Sequence, residues 1–385
     1  MCPSLQVAAT LSGMGCVYFA ARRHGRNHSR VARPSVEGEH ACSLMRVLSV
    51  VRKNYYGVQT AIEPMYLYFT VPLREMGHGV ETFDHYEMRR TLGRQRATEA
   101  LVDRIQKGEF DVIFYQTSGR EPVDTAALAD LSRDFCIAAW NSDDDWQWES
   151  TRRLAKDFTF MITTYPHIYE ENRTQYANLL LSQWACLGIY GDFSRRKDIA
   201  FSFAGAMYGS RNAPCRYLKR QAGLACFGRG SRLVNWNLPY TRGILKLPWL
   251  SGQAIHFQEI NEIWNRSRIS YTPMRGGPNG EVLSLKSRTF DMGLSGTLML
   301  CEHSPNLERY YEPGRECVTF ETVEDCAEKA RWYLAHEVER GRIAQAYQDR
   351  TAREHLWRDR FSQLFREMGL NKTQSTSTRS CAAAV

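Results

Sequence analysis

From Met45 onward, short apolar runs rich in β-branched residues alternate with segments of helical period, and this alternation constrains the fold more than any other feature. RVLSVV (46–51), GVETFD (79–84), DVIFYQ (111–116), FCIAAW (135–140) and FTFMITT (158–164) read as strands. Helices are expected between them at 63–76, 90–107 and 123–133, and after Pro166. Continuous apolar strands separated by helices are the pattern of a parallel sheet covered on both faces, because a parallel pair needs a crossover and the crossover helix buries the sheet. The order excludes an all-β sandwich and a helical bundle.

Around GDFSRRKDIA (191–200) the composition turns polar, and the pattern then restarts. IAFSFAG (199–205), LACFG (224–228), SRISYTP (267–273), TLMLC (297–301) and VTF (318–320) read as strands, with helices at 213–222, 258–266, 284–295 and 323–337. At 385 residues the chain exceeds one ordinary core, so two α/β domains of Rossmann type with a cleft between them are expected. The first spans 45–192 and the second 197–350, followed by a helix over 351–368. No apolar run approaches the roughly 18 residues of a spanning helix, so no transmembrane segment is expected.

The formal charge of +8 is unevenly placed. Arg22, Arg23, Arg26, Arg30 and Arg33 against Glu37 and Glu39, together with Lys372 and Arg379, account for five of the eight charges. The remaining body lacks the clustered basic face that nucleic-acid binding requires, and no nucleic-acid partner is expected. Residues 1–44 place their arginines after an apolar stretch, the reverse of a secretory signal, and read as an extension outside the fold that begins at MRVLSVV. The tail 369–385, ending TQSTSTRSCAAAV, is low in complexity and reads as disordered. Eleven scattered cysteines with no CxxC spacing point to free thiols in a reducing, cytoplasmic compartment.

Five stretches carry candidate chemistry. In KSRTFDMGLSGTLML (286–300) Asp291 falls in the last turn of the expected helix, where a carboxylate opposes the macrodipole unless a ligand hydroxyl or a cation compensates; the alternative is a solvated acid. AGAMYGSR (204–211) follows the first strand of the second domain, and Gly205 and Gly209 let backbone approach a phosphate that Arg211 could reach; a plain tight turn fits equally. PGRECVTF places Glu316 after a turn at Pro313 and Gly314. NSDDDW (141–146) sits at the C-terminal end of a strand, where open α/β sheets hold ligands. Its three adjacent carboxylates could bind a divalent cation or supply a base for an acceptor hydroxyl; Asp144 and Asp145 are the candidate catalytic residues, or alternatively simply start a helix. His78 reads as a turn residue.

The segment RISYTPM…SLKSRTFDMGLSGTLMLCEHSPNLERYYEPGRECVTFETVEDCAEKARWYLAHE resembles the C-terminal domain of GT-B-fold glycosyltransferases, in the CgeB-like (spore-maturation type) branch near the large retaining family. The likeness covers 199–368, and more loosely the first half through LREMGHGVETFD and WNSDDDW. It implies two Rossmann-like domains facing a cleft, with a terminal helix crossing back. It also implies hexosyl transfer from a nucleotide-sugar donor to a hydroxyl of a small-molecule, glycan or protein acceptor, without an obligatory metal or other cofactor. Lys286 and Arg288 stand where relatives carry donor-site residues, Asp291 where a glutamate bonds the nucleotide ribose, and Glu316 in a region beside the donor. A second glutamate that relatives carry eight positions earlier is here Leu283. That departure leaves open a nucleotide-sugar epimerase or hydrolase of the same fold, or a non-catalytic binding protein.

Overall fold

The computed structural model describes residues 44–370 apart from 55–60, 208, 239–246, 248–250, 278–279 and 281. The extension 1–44 and the tail 369–385, save for their inner ends, lie outside the described residues.

The first sheet contains β1 (Arg46–Val50), β2 (Gly79–Phe83), β3 (Val112–Gln116), β4 (Ile137–Asn141), β5 (Phe160–Thr163) and β6 (Leu179–Leu181), all parallel, in the order β2-β1-β3-β4-β5-β6. Its helices are α1 (Pro64–Tyr68), α2 (Val71–Glu75), α3 (His85–Leu92), α4 (Arg94–Lys107), α5 (Ala126–Ala129), α6 (Asp144–Thr151) and α7 (Pro166–Asn172). β3 and β4 are buried along their whole length, as expected of strands covered on both faces. On α4, Ala97, Leu101 and Ile105 recur every four residues and form the face buried against the sheet.

The second sheet contains β7 (Ile199–Ala204), β8 (Ala225–Phe227), β9 (Ser267–Thr272), β12 (Leu298–Glu302) and β13 (Val318–Phe320), parallel throughout, in the order β13-β12-β9-β7-β8. A separate two-stranded hairpin pairs β10 (Arg275–Gly276) with β11 (Val282–Leu283). The helices are α8 (Asn212–Ala222), α9 (Ser231–Asn235), α10 (Phe257–Arg266), α11 (Arg288–Asp291), α12 (Val323–Ala335), α13 (Glu337–Glu354) and α14 (Trp357–Glu367). Both sheets share one topology: the first strand lies between the second and the third, so strand order reverses between β1 and β3 and between β7 and β9. Ligands of open α/β sheets bind at that reversal, outside the carboxyl ends of the strands. The expected fold class, two Rossmann-like parallel-sheet domains, is the one observed.

The helices depart from expectation where local chemistry interrupts them. The segment 63–76 breaks at Phe69 and Thr70 into α1 and α2, because Pro72 has no N–H to continue the ladder. The segment 90–107 begins earlier, at His85, and is interrupted at Gly93, whose φ is +79°. The helix expected over 284–295 is only α11 followed by a 3-10 turn at Met292–Leu294. The residues before it are drawn into the hairpin, and Ser284 donates its backbone N–H to the Met274 carbonyl at 2.9 Å.

An apolar cluster joins the two sheets. Tyr68, Phe69, Phe114, Trp140 and Trp184 from the first domain meet Phe290, Met292 and Tyr347 from the second, with Trp357, Phe361 and Phe365 of α14 packed among them. Trp357 stacks on Tyr68 with ring centroids 4.8 Å apart, and Phe361 meets Phe114 edge-on at 5.4 Å. The chain's last helix thus lies against the first sheet. The connection is clasped where Cys186 N–H donates to the His355 carbonyl at 2.8 Å and Trp357 N–H donates to the Cys186 carbonyl at 3.3 Å.

Candidate active site

A cleft of about 780 Å³ opens between the carboxyl ends of the two sheets. The first domain contributes Arg52 after β1, Gln116, Thr117 and Ser118 at the end of β3, and Ser142, Asp143, Trp146 and Gln147 after β4. The second contributes Gly205 and Ala206 after β7, Arg211 just before α8, Gly228 and Arg229 after β8, and Lys286, Ser287, Arg288 and Asp291. Charge is divided unevenly across it. Among the described residues, Arg211, Arg229, Lys286 and Arg288 line the second-domain wall with the carboxyl of Asp291, whereas Arg52, Glu63 and Asp143 line the first-domain wall.

The loop after β7 is shaped by glycine. Gly228 has φ +106°, and a Cβ there would stand 2.6 Å from the Gly205 carbonyl oxygen, so the β7–α8 and β8–α9 turns touch through backbone alone. Gly205 N–H donates to the Phe227 carbonyl at 3.0 Å and Met207 N–H to the Arg229 carbonyl at 2.8 Å, which ties the two turns together. Arg211, nearly buried, donates to the carbonyls of Ala206 and Arg275, both at 3.3 Å. Arg288 lies over the Phe203 ring at 5.4 Å and reaches the Ala204 carbonyl at 3.5 Å. Backbone turns, a helix start and two guanidinium groups therefore converge at the end of β7, an arrangement that suits an anion.

Asp291 lies on the cleft floor with 3% exposure, not in a solvated last turn. Tyr68 of α1 donates its hydroxyl to Oδ2 at 2.7 Å, a contact that crosses between the domains. Oδ1 has no well-formed hydrogen bond, although Ser287 is close enough to act on the charge. Burial pushes the carboxyl up to about 8, against the opposing pull of the Tyr68 and Ser287 hydrogen bonds and the Arg288 charge. Leu283, where relatives carry their second glutamate, is in β11 and packs against the shared apolar cluster.

The three aspartates of NSDDDW part company. Asp144 is fully buried and accepts from the Thr151 hydroxyl at 2.6 Å inside its own domain; burial pushes its carboxyl up to about 6. It does not line the cleft, so as a catalytic base it is misplaced. Asp145 turns across to the second domain, where its Oδ2 accepts from Lys286 at 3.0 Å and from the Ser284 hydroxyl at 2.6 Å, with its side chain wholly buried. It is an interdomain tie, not a free base. Asp143, the residue before the helix, is the one exposed to the cleft, and the surrounding protein raises its carboxyl despite the Lys286 charge nearby. Glu316 is also displaced from its expected role: it accepts the Glu312 N–H at 2.9 Å, closing its own turn, and stands outside the cleft lining. His78 accepts the Met45 N–H at 3.2 Å and packs against Phe365.

Of the expected site residues, then, Gly205, Arg211, Lys286, Arg288 and Asp291 converge on one cleft, while Asp144, Asp145 and Glu316 serve other contacts. The sequence reading missed Trp146, Tyr68 and Arg229, and among the three carboxylates of NSDDDW it favoured Asp144 and Asp145 over Asp143. Asp143 had a signal, since the position before a helix at the end of a parallel strand faces the ligand crevice; for Tyr68, in an apolar run far from Asp291, there was none.

The topology and the cleft are those of a GT-B glycosyltransferase fold. Residues 211–366 match the family described as glycosyl transferase-like. No curated protein sequence matches the chain. Among solved structures, HepE from Anabaena in complex with UDP and glucose is similar at TM-score 0.55 and 11% identity, covering 84% of this chain and 99% of that one. Sucrose-phosphate synthase from Thermosynechococcus elongatus is similar at TM-score 0.57 and 9% identity, covering 85% and 100%. A glycosyltransferase from Rickettsia africae is similar at TM-score 0.56 and 9% identity, covering 86% and 100%.

Proposed function

We propose that this protein transfers a hexosyl group from a nucleoside-diphosphate sugar to an acceptor hydroxyl, with the donor held on the second-domain wall. The observation that carries the reading is the convergence of the Gly205–Gly228 junction, the start of α8 and the side chains of Arg211 and Arg288 at the end of β7, with Lys286 lining the same cleft. As the anomeric carbon's bond to the diphosphate breaks, the leaving group takes the electron pair and its negative charge grows. Backbone N–H groups and fixed cations stabilise that charge where it develops. The acceptor oxygen forms the new bond to the anomeric carbon, and nucleoside diphosphate and one proton are released. The cations supply the neutralisation that a metal ion would otherwise give, so no divalent ion is required.

Asp291 is the ribose contact in this reading. A ribose hydroxyl donating to Oδ1 would satisfy the atom that lacks a well-formed bond, and would favour the ionised carboxyl. Uridine is the first base to test, because HepE has been captured with UDP-glucose as well as with UDP. The K-x-R, aromatic-plus-acid order of Lys286, Arg288, Phe290 and Asp291 supports placement in the CgeB-like branch. The seven cysteines among the described residues are free thiols, which supports a cytoplasmic site of action.

Isothermal titration with UDP, GDP, dTDP and ADP, with and without chelator, tests the reading. One diphosphate is expected to bind equally in both conditions and to lose tenfold or more in affinity in Arg288→Ala. If no diphosphate binds and no nucleotide sugar is consumed, the reading fails.

A further inference from the structure

The reading above leaves the acceptor unassigned. We propose that the first turn of α6 forms the acceptor subsite and that its occupant is a carbohydrate, one pyranose ring stacked on Trp146 with a hydroxyl held by Asp143. The proposal rests on the donor reading.

Trp146 is 42% exposed and lines the cleft. Among the described residues two other tryptophans are as exposed, but each is already covered on one face: Trp332 stacks on His336 at 3.9 Å, and Arg232 lies over Trp236 at 5.2 Å. No ring or cation is seen over Trp146 among the described residues. A large apolar face left open inside a cleft favours a partner with an apolar face of its own.

The surroundings say which kind. Asp143, Gln147, Ser118 and Ser142 line the cleft beside the indole. The Gln147 amide lies against Gly119, where a Cβ would stand 2.4 Å from its Oε1. Planar carboxylate and amide groups bond vicinal hydroxyls in pairs, and the C–H face of a pyranose covers an indole. A flat phenolic acceptor would cover the ring but leave those polar groups desolvated and unpaired. A peptide hydroxyl offers no ring to stack.

Helix geometry places the subsite beside the donor wall. Successive residues of α6 turn by about 100°, so Asp144 enters the domain, Asp145 reaches Lys286 at 3.0 Å, and Trp146 faces the opening. The same helical turn that bears the stacking ring is therefore tied directly to a donor-wall cation, which holds a ring on Trp146 close to the transferred sugar.

The test is acceptor kinetics with a saturating donor, using glucose, N-acetylglucosamine, maltose and cellobiose against p-nitrophenol and a serine peptide. Donor hydrolysis, in which water is the acceptor, is measured in parallel. Turnover is expected on a saccharide; Trp146→Ala should raise the acceptor KM tenfold or more while donor KM and the hydrolysis rate stay within about twofold, and Trp146→Phe should recover most of the loss. Asp143→Asn should lower kcat/KM for the acceptor without changing donor KM. Unchanged acceptor kinetics in Trp146→Ala overturns the proposal, as does turnover confined to the phenol or the peptide. Absence of both donor hydrolysis and diphosphate binding in the wild type refutes the donor reading, and this proposal with it.

Discussion

Replacing Lys286 with methionine separates its observed tie to Asp145 from the diphosphate contact proposed for it. Asp145 is wholly buried and Lys286 is 18% exposed, so removing the cation strands a carboxylate that retains only the Ser284 hydroxyl. Breaking one side of a buried pair costs about 3–5 kcal/mol; the partial exposure of the lysine and the surviving hydrogen bond place this case nearer 2–3 kcal/mol. Thermal unfolding should show a fall of several degrees at pH 7, at roughly 2 °C per kcal/mol for a chain of this size. Lys286→Met combined with Asp145→Asn removes the stranded charge and should recover stability to within about 1 kcal/mol of wild type, yet diphosphate affinity should remain tenfold low. A single variant as stable as wild type at pH 7, or a double variant that regains affinity, would each refute the reasoning.

Three further outcomes are expected. Asp291, raised to about 8 from the ordinary 3.8, binds a proton in the folded state that the unfolded chain has released, so its contribution is full below about pH 4 and is lost as pH rises towards 8; Asp291→Asn should flatten that part of a stability–pH curve, and an unchanged slope would show that the carboxyl is not raised. Gly228→Ala forces a Cβ to 2.6 Å from the Gly205 carbonyl at φ +106°, and should cost about 1–3 kcal/mol with weakened diphosphate binding, measured by thermal shift with and without ligand. Trp357→Ala empties the centre of the cluster formed with Tyr68, Trp140 and Trp184, and should lower denaturant stability by about 3–5 kcal/mol.

The sequence by itself determined the two sheets. Strands such as VIFYQ and LMLC are apolar on both faces, and that property, with helices between them, admits little besides a parallel sheet. The segments it singled out, AGAMYGSR, NSDDDW and KSR, all border the cleft, because ligand crevices of such sheets follow the strands' carboxyl ends. It could not say which aspartate of three in a row faces the ligand. That depends on where α6 begins, and a shift of one residue rotates the side chains by about 100°. Nor could it pair Asp145 with Lys286, 141 positions away, or Tyr68 with Asp291, 223 positions away. Those pairs exist only because two separately patterned domains dock with the aromatic residues of α14 packed among them, and periodicity within a segment carries no information about the angle at which two domains meet.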